Sequence, residues 1–192
     1  MHKAIVLAAF TVVFLFAGTG FAQDSDPQLG AYFIEWGSSN YPPYYVKNIV
    51  DSGASDKITV LYYAFVIPAP GPDGQIIATF DDPYEAYQRH YTAAMSVPML
   101  DGSPGIADAL EGQALRGHFN QLRKLKEINK EMNGDLKILI ALGGWLGSTY
   151  FSDAALTSDS RSAFVESCID LFIRGNLPVG PDGTGGDGAA AG

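Results

Sequence analysis

The stretch Lys137-Ile138-Leu139-Ile140-Ala141-Leu142-Gly143-Gly144-Trp145 decides the fold. Ile138 to Leu142 is an unbroken apolar run, the pattern of a strand buried on both faces in a parallel sheet. Gly143 and Gly144 remove every side chain where the strand ends, so backbone or ligand can come close there. Trp145 then falls at the C-terminal lip, where parallel α/β sheets hold their ligands. A flat apolar ring with one N–H donor suits the face of a sugar. It suits equally a ring that only caps the core, and this stretch alone leaves both readings open.

Upstream, Leu115, Phe119, Leu122, Leu125 and Ile128 recur at spacings of three and four, which predicts an amphipathic helix over Ala114 to Met132. Its other side carries Arg116, Arg123, Lys124, Lys126, Glu127 and Lys130, read as a solvated face. Further back, Lys57 to Ile67 is rich in β-formers and predicts a second strand. Leu29 to Trp36 predicts a first. Alternation there puts Tyr32, Ile34 and Trp36 on one face and Ala31, Phe33 and Glu35 on the other. Val46 to Val50 is a short helix ending near Gly53. Pro68 to about Gly112 is broken by prolines and glycines and reads as a long irregular loop, with a helical turn or two over Tyr84 to Ala94.

Downstream, Ser158 or Asp159 is the expected N-cap of a helix to Arg174 whose inner stripe is Phe164, Cys168, Leu171 and Phe172. Gly175 stops it, and residues 175–192 have a loop composition with Val179 as the sole core-forming type after Pro178. Strand, helix, strand, long loop, helix, strand, helix is the order of an α/β fold with a parallel sheet.

The first 22 residues stand apart. Lys3 precedes the run Ala4 to Ala17, apolar but for Thr11, and Gly20 and Ala22 supply small residues, so a secretory signal cleaved after Ala22 is expected. Without Lys3, eleven basic residues face 21 acidic ones, a net charge of −10. That argues against nucleic acid and anionic membranes as partners and suits an uncharged or cationic polymer. Cys168 is alone, so no disulfide framework exists. His90 and His118 lie far apart with no Cys beside them, so no metal and no cofactor is implied. Gly183, Gly185 and Gly188 fit G-x-G-x-x-G but lack a preceding strand and a following helix.

Several of these stretches together resemble glycoside hydrolase family 18 chitinases of the bacterial secreted type. Leu29 to Trp36 is similar to their first strand, Leu61-Tyr62-Tyr63-Ala64-Phe65 to their second, and Ala141 to Trp145 to their third-strand S/A-x-G-G motif. Leu115 to Lys126 resembles the helix before that motif, and Tyr84 to Val97 the insertion after the second strand. The resemblance implies a TIM (β/α)8 barrel of which this chain holds the first three βα units: a catalytic-domain portion over residues 23–174 and a loop over 175–192 leading towards a fourth strand. It implies hydrolysis of β-1,4-linked N-acetylglucosamine in chitin or chitooligosaccharides, assisted by the substrate's own acetamide. The family's acid ends a D-x-x-D-x-D-x-E motif, which occurs nowhere in this chain, so no catalytic residue carries over and the chain alone is expected to be inactive. The residues that match sugar-contacting positions are Tyr32, Trp36, Phe65, Gly143, Gly144 and Trp145. Glu35, alternating away from the barrel interior, is read as a structural or surface carboxylate. A non-catalytic chitin-binding relative is the alternative, and three units alone leave an open parallel edge.

Overall fold

The computed structural model describes residues 28–132 and 134–191; the expected secretory signal over residues 1–22 lies outside them. Three strands lie parallel: β1 (Gly30–Ile34), β2 (Val60–Pro70) and, after β3, β4 (Lys137–Leu142). β1 and β4 both pair with the first half of β2, Tyr32 facing Tyr62 and Tyr62 facing Leu139 across the registers. β3 (Ile76–Phe80) runs antiparallel against the far half of β2, from Val66 to Pro70. Among the described residues no strand occupies the second edge of β4.

The helices are α1 (Lys47–Asp51), α2 (Gly117–Glu131), the short α3 (Gly144–Gly147), α4 (Phe151–Ala155) and α5 (Ser158–Ile169), the last prolonged by a π-turn over Asp170–Arg174. No helix among the described residues is long and apolar enough to cross a membrane. The row Phe33–Tyr63–Ile140 faces α2, where Leu122 and Leu125 are buried and Phe119 meets Tyr63 edge-on at 5.1 Å. Each fully buried Leu contributes about 1.5–3 kcal/mol. The opposite row, Tyr32–Tyr62–Leu139, is uncovered, with Tyr32 66% exposed and Leu139 46%.

Several expectations need correction. β1 ends at Ile34, and the chain turns into a 3-10 helix over Glu35–Ser39, so alternation does not extend to Trp36. Glu35 is consequently buried and not a surface carboxylate. The irregular region begins later than expected, because β2 continues through Pro68 and Pro70 and β3 forms a hairpin with it around a turn at Gly71–Gly74. The helical turn materialises as a π-turn over Tyr84–Gln88. Arg116 lies just before α2 and is not solvated; it is buried in an ion pair of 2.7 Å with Asp182. That pair belongs to a tail that folds back on the domain. Leu177 and Thr184 are buried, the Tyr87 hydroxyl donates to the Pro178 carbonyl at 2.9 Å, and the Gly185 N–H donates to Ala114 O at 2.7 Å. Glycine composition marked a loop, but these polar contacts give it a packed path. The N-cap of α5 is Thr157, one residue before the expected pair, closing a capping box with Ser160.

Candidate functional site

At the C-terminal mouths of β1, β2 and β4 lies a hollow of about 440 Å³. Its apolar wall is Trp36, Phe65 and Trp145, and Gly143 forms part of its floor. Trp36 stacks on Phe65 with ring centroids 6.0 Å apart and 28° between planes. Trp145, on α3, is 99% exposed, and neighbouring Leu146 is 90% exposed. An indole left bare at a strand mouth cannot be stabilising the fold by burial, so its apolar area is available to a ligand.

The two glycines hold this arrangement open. Gly143 has φ +94°, and a Cβ there would sit 2.6 Å from the Phe151 ring. Gly144 has φ +84°, and a Cβ would meet the Phe65 ring at 3.0 Å. Both need the backbone freedom of glycine, and the second leaves Phe65 room to face Trp36. Of the residues singled out in the sequence, Trp36, Phe65, Gly143 and Trp145 come together around the hollow, and Gly144 packs beneath Phe65. Tyr32 does not line it. Tyr32 stacks on Tyr62 at 5.0 Å on the uncovered face of the sheet.

The hollow also has carboxylates that pattern reading missed: Glu35 in its wall and Asp81, just past β3. Burial, together with Asp82 and Asp81 nearby, pushes the Glu35 carboxyl up to about 8 even though the Tyr63 hydroxyl lies 3.0 Å from its Oε1.

Behind Glu35 runs a chain of buried polar groups. The Tyr63 hydroxyl is also 3.3 Å from His118 Nδ1, and His118 Nε2 is 3.1 Å from Ser38 Oγ. Ser38 donates to Glu85 Oε2 at 2.6 Å, Ser39 donates to Oε1 at 2.8 Å, and Arg89 donates to both oxygens at 2.7 and 2.9 Å. Burial disfavours the Glu85 anion, but the donors from Arg89, Ser38 and Ser39 outweigh it and hold the carboxyl below its usual range. Burial drives His118 down to about 4, so its imidazole is neutral at pH 7. Burial and the nearby Glu35 raise the Tyr63 phenol well above its ordinary value. His118 entered the sequence analysis only as a metal-ligand question; its neighbours come from the 3-10 turn after β1 and the π-turn after β3, which no linear spacing reveals. Among the described residues no cluster of three or more His, Cys, Asp or Glu is arranged to hold a metal.

This fold and this site define a family. The profile of glycosyl hydrolases family 18 matches residues 28–183, and the chain belongs to that family. It is similar to chitinase C of Streptomyces lividans, 42% identical over 158 residues that cover 80% of this chain and 22% of the relative. Chitinase 63 of Streptomyces plicatus is 39% identical over 73% of this chain and 20% of its own length. Among solved structures, the catalytic domain of psychrophilic chitinase B from Arthrobacter TAD20 superposes with a TM-score of 0.71 at 35% identity, covering 86% of this chain and 38% of that one. The chain thus spans about a fifth of the length of these curated relatives.

Proposed function

We propose that this chain carries the sugar-binding aromatic wall of a chitinase-type glycoside hydrolase acting on β-1,4-linked N-acetylglucosamine, and that it works outside the cell after loss of residues 1–22. The observation that carries this reading is the hollow at three parallel strand mouths, walled by the Trp36–Phe65 stack and the bare Trp145. CH-rich faces of a neutral sugar stack on such rings. The chain is then the opening three βα units of a (β/α)8 barrel, and the uncovered row Tyr32–Tyr62–Leu139 is the lining of the interior that later strands would close. Tyr32 belongs to that lining, deeper than the mouth.

In this reading the proton donor comes from the D-x-x-D-x-D-x-E strand, which the chain does not contain. The 192 residues therefore retain chitooligosaccharides without cleaving them. Incubation with N-acetylglucosamine oligomers, followed by product chromatography, checks the second half: turnover by this chain would place the acid among its own carboxylates and overturn the assignment. Retention on chitin beads checks the first half: wild type is held back and Trp145→Ala elutes freely, whereas equal elution of both removes the sugar-binding reading.

A second reading, a non-catalytic chitin-binding relative, rests on the same aromatic wall, which can hold sugar with or without an acid beside it. Reading the coding sequence beyond Gly192 separates the two. An Asp-rich strand ending in Glu supports the enzyme, and its absence supports the binding protein.

A further inference from the structure

Trp36 stands in the wall of the hollow, yet little in its own backbone fixes it there. It lies in the five-residue 3-10 helix Glu35–Ser39, a kind of turn with poor hydrogen-bond geometry. No side chain caps this helix at Ile34, and the bond that closes it, Asn40 N–H to Gly37 O, is 3.4 Å long. The indole stacks on Phe65 and is otherwise about half exposed. Side chains before and after Trp36 supply what the backbone does not. Glu35 accepts from the Tyr63 hydroxyl at 3.0 Å and from the Asp82 backbone N–H. Ser38 and Ser39 donate to the two oxygens of Glu85 at 2.6 and 2.8 Å. Arg89 donates to both oxygens as well, which fills the roughly four acceptor sites of that carboxylate. Asp82 and Glu85 are themselves joined, Glu85 N–H to Asp82 Oδ1 at 3.1 Å. Residues 82–89 thus form a splint along the turn, bonded to it on both sides of Trp36.

From this geometry we propose that Glu85 is a positioning residue of the sugar wall: by holding Ser38 and Ser39 it sets where Trp36 stands over Phe65, and so preorganises the hollow for its ligand. The inference rests on the carbohydrate reading above and deepens it. Glu85 does not line the hollow; it acts through the turn. Its bonds to the two serines span 47 and 46 positions and join the segment leaving β1 to the segment leaving β3, two strands that do not pair with each other. Arg89, the other partner of the carboxylate, lies over the rings of Tyr45 and Tyr91, its guanidinium carbon 5.9 Å from each centroid. Glu85 therefore has a seat of its own, independent of the turn it holds. A ring fixed before the ligand arrives spares the ligand the cost of ordering it.

Two measurements on the full chain test this. The chain has two tryptophans, so Trp145→Phe leaves Trp36 as the reporter and Trp36→Phe leaves Trp145, which stands on α3 outside the splint. Into each reporter go Ser39→Ala, at an exposed position that puts folding at little risk, Ser38→Ala, and Glu85→Gln, which turns acceptor sites into donors. Time-resolved fluorescence anisotropy is expected to show wider motion of Trp36 in all three, no change at Trp145, and recovery of the Trp36 signal in Ser39→Thr, which keeps the hydroxyl. The second measurement is affinity for an N-acetylglucosamine oligomer, made with both tryptophans present. It is expected to fall about three- to tenfold in Ser39→Ala and Ser38→Ala and to recover in Ser39→Thr. Trp36 motion unchanged in the folded variants overturns the proposal, and so does equal loosening of Trp36 and Trp145, which marks a general structural role. A freed Trp36 with unchanged affinity overturns the preorganisation. If wild type binds no oligomer, the carbohydrate reading falls and the preorganisation with it, while the anisotropy still decides whether Glu85 holds Trp36.

Discussion

The rim of the hollow and the chain behind it invert the usual placement of residues. At the rim, Trp145 and Leu146 are almost wholly exposed; behind it, Glu35, Ser38, Glu85 and His118 are buried. Folding alone favours the reverse arrangement, because bare indole forgoes burial energy and buried polar groups need every partner satisfied. The rim therefore leaves apolar area open to the sugar of the proposed function, and the interior holds a polar cluster stabilised only as a complete set. The two respond differently to substitution, and that difference can be broken or sharpened by experiment.

The largest effect is expected at the anchor of the buried chain. Glu85→Ala strands Arg89 and leaves Ser38 and Ser39 without their acceptor, costing on the order of 3–5 kcal/mol; chemical denaturation of wild type and variant measures it. Next comes pH. Glu35 has its folded value raised to about 8, so its contribution to stability is whole below its ordinary value of 4.5 and is lost as pH rises through 8. His118 is depressed to about 4, so its contribution is whole above 6.5 and is lost as pH falls through 4. Glu85, held low, also loses its contribution on acidification. Melting temperature is therefore expected to drop on both sides of mildly acidic pH, and Glu35→Gln to flatten the alkaline limb alone. An unchanged alkaline limb in that variant contradicts the burial of an acid at this position.

Smaller still is Gly144→Ala, which forces a side chain into φ +84° and against Phe65. It is expected to cost about 1–3 kcal/mol and to weaken oligosaccharide binding by shifting the ring that stacks on Trp36. Smallest in stability is Trp145→Ala, expected within about 0.5 kcal/mol of wild type by thermal melt because its side chain touches mostly solvent. A large loss of stability there would mean that the ring is structural.

The same contrast explains what could be read from the amino acids in order. Strands β1, β2 and β4 and helices α2 and α5 were legible, because Ile138 to Leu142, Ile58 to Val66 and the Leu122–Leu125 stripe carry their periodicity locally. Trp36 and Trp145 were legible because each stands just beyond a strand end, and Phe65 because it closes the second-strand stretch Leu61–Phe65. β3 was hidden by Pro68, Pro70 and Gly71, which read as loop although the paired strands accommodate them. Glu35 was misplaced by carrying strand alternation one residue past Ile34. The Ser38–Glu85–His118 cluster was invisible because its members come from three segments up to 80 positions apart, and their burial is a product of tertiary packing. Resemblance to family 18 chitinases directed attention to the rim and not to the chain behind it.

The chain's two tryptophans, Trp36 and Trp145, both line the hollow, so intrinsic fluorescence reports on it directly. Titrating the protein with N-acetylglucosamine oligomers is predicted to give a saturable change in emission, reduced in Trp145→Ala and in Trp36→Ala. Emission that stays constant up to millimolar oligomer, in protein shown to be folded by its melt, would contradict the claim that these rings form a wall for sugar.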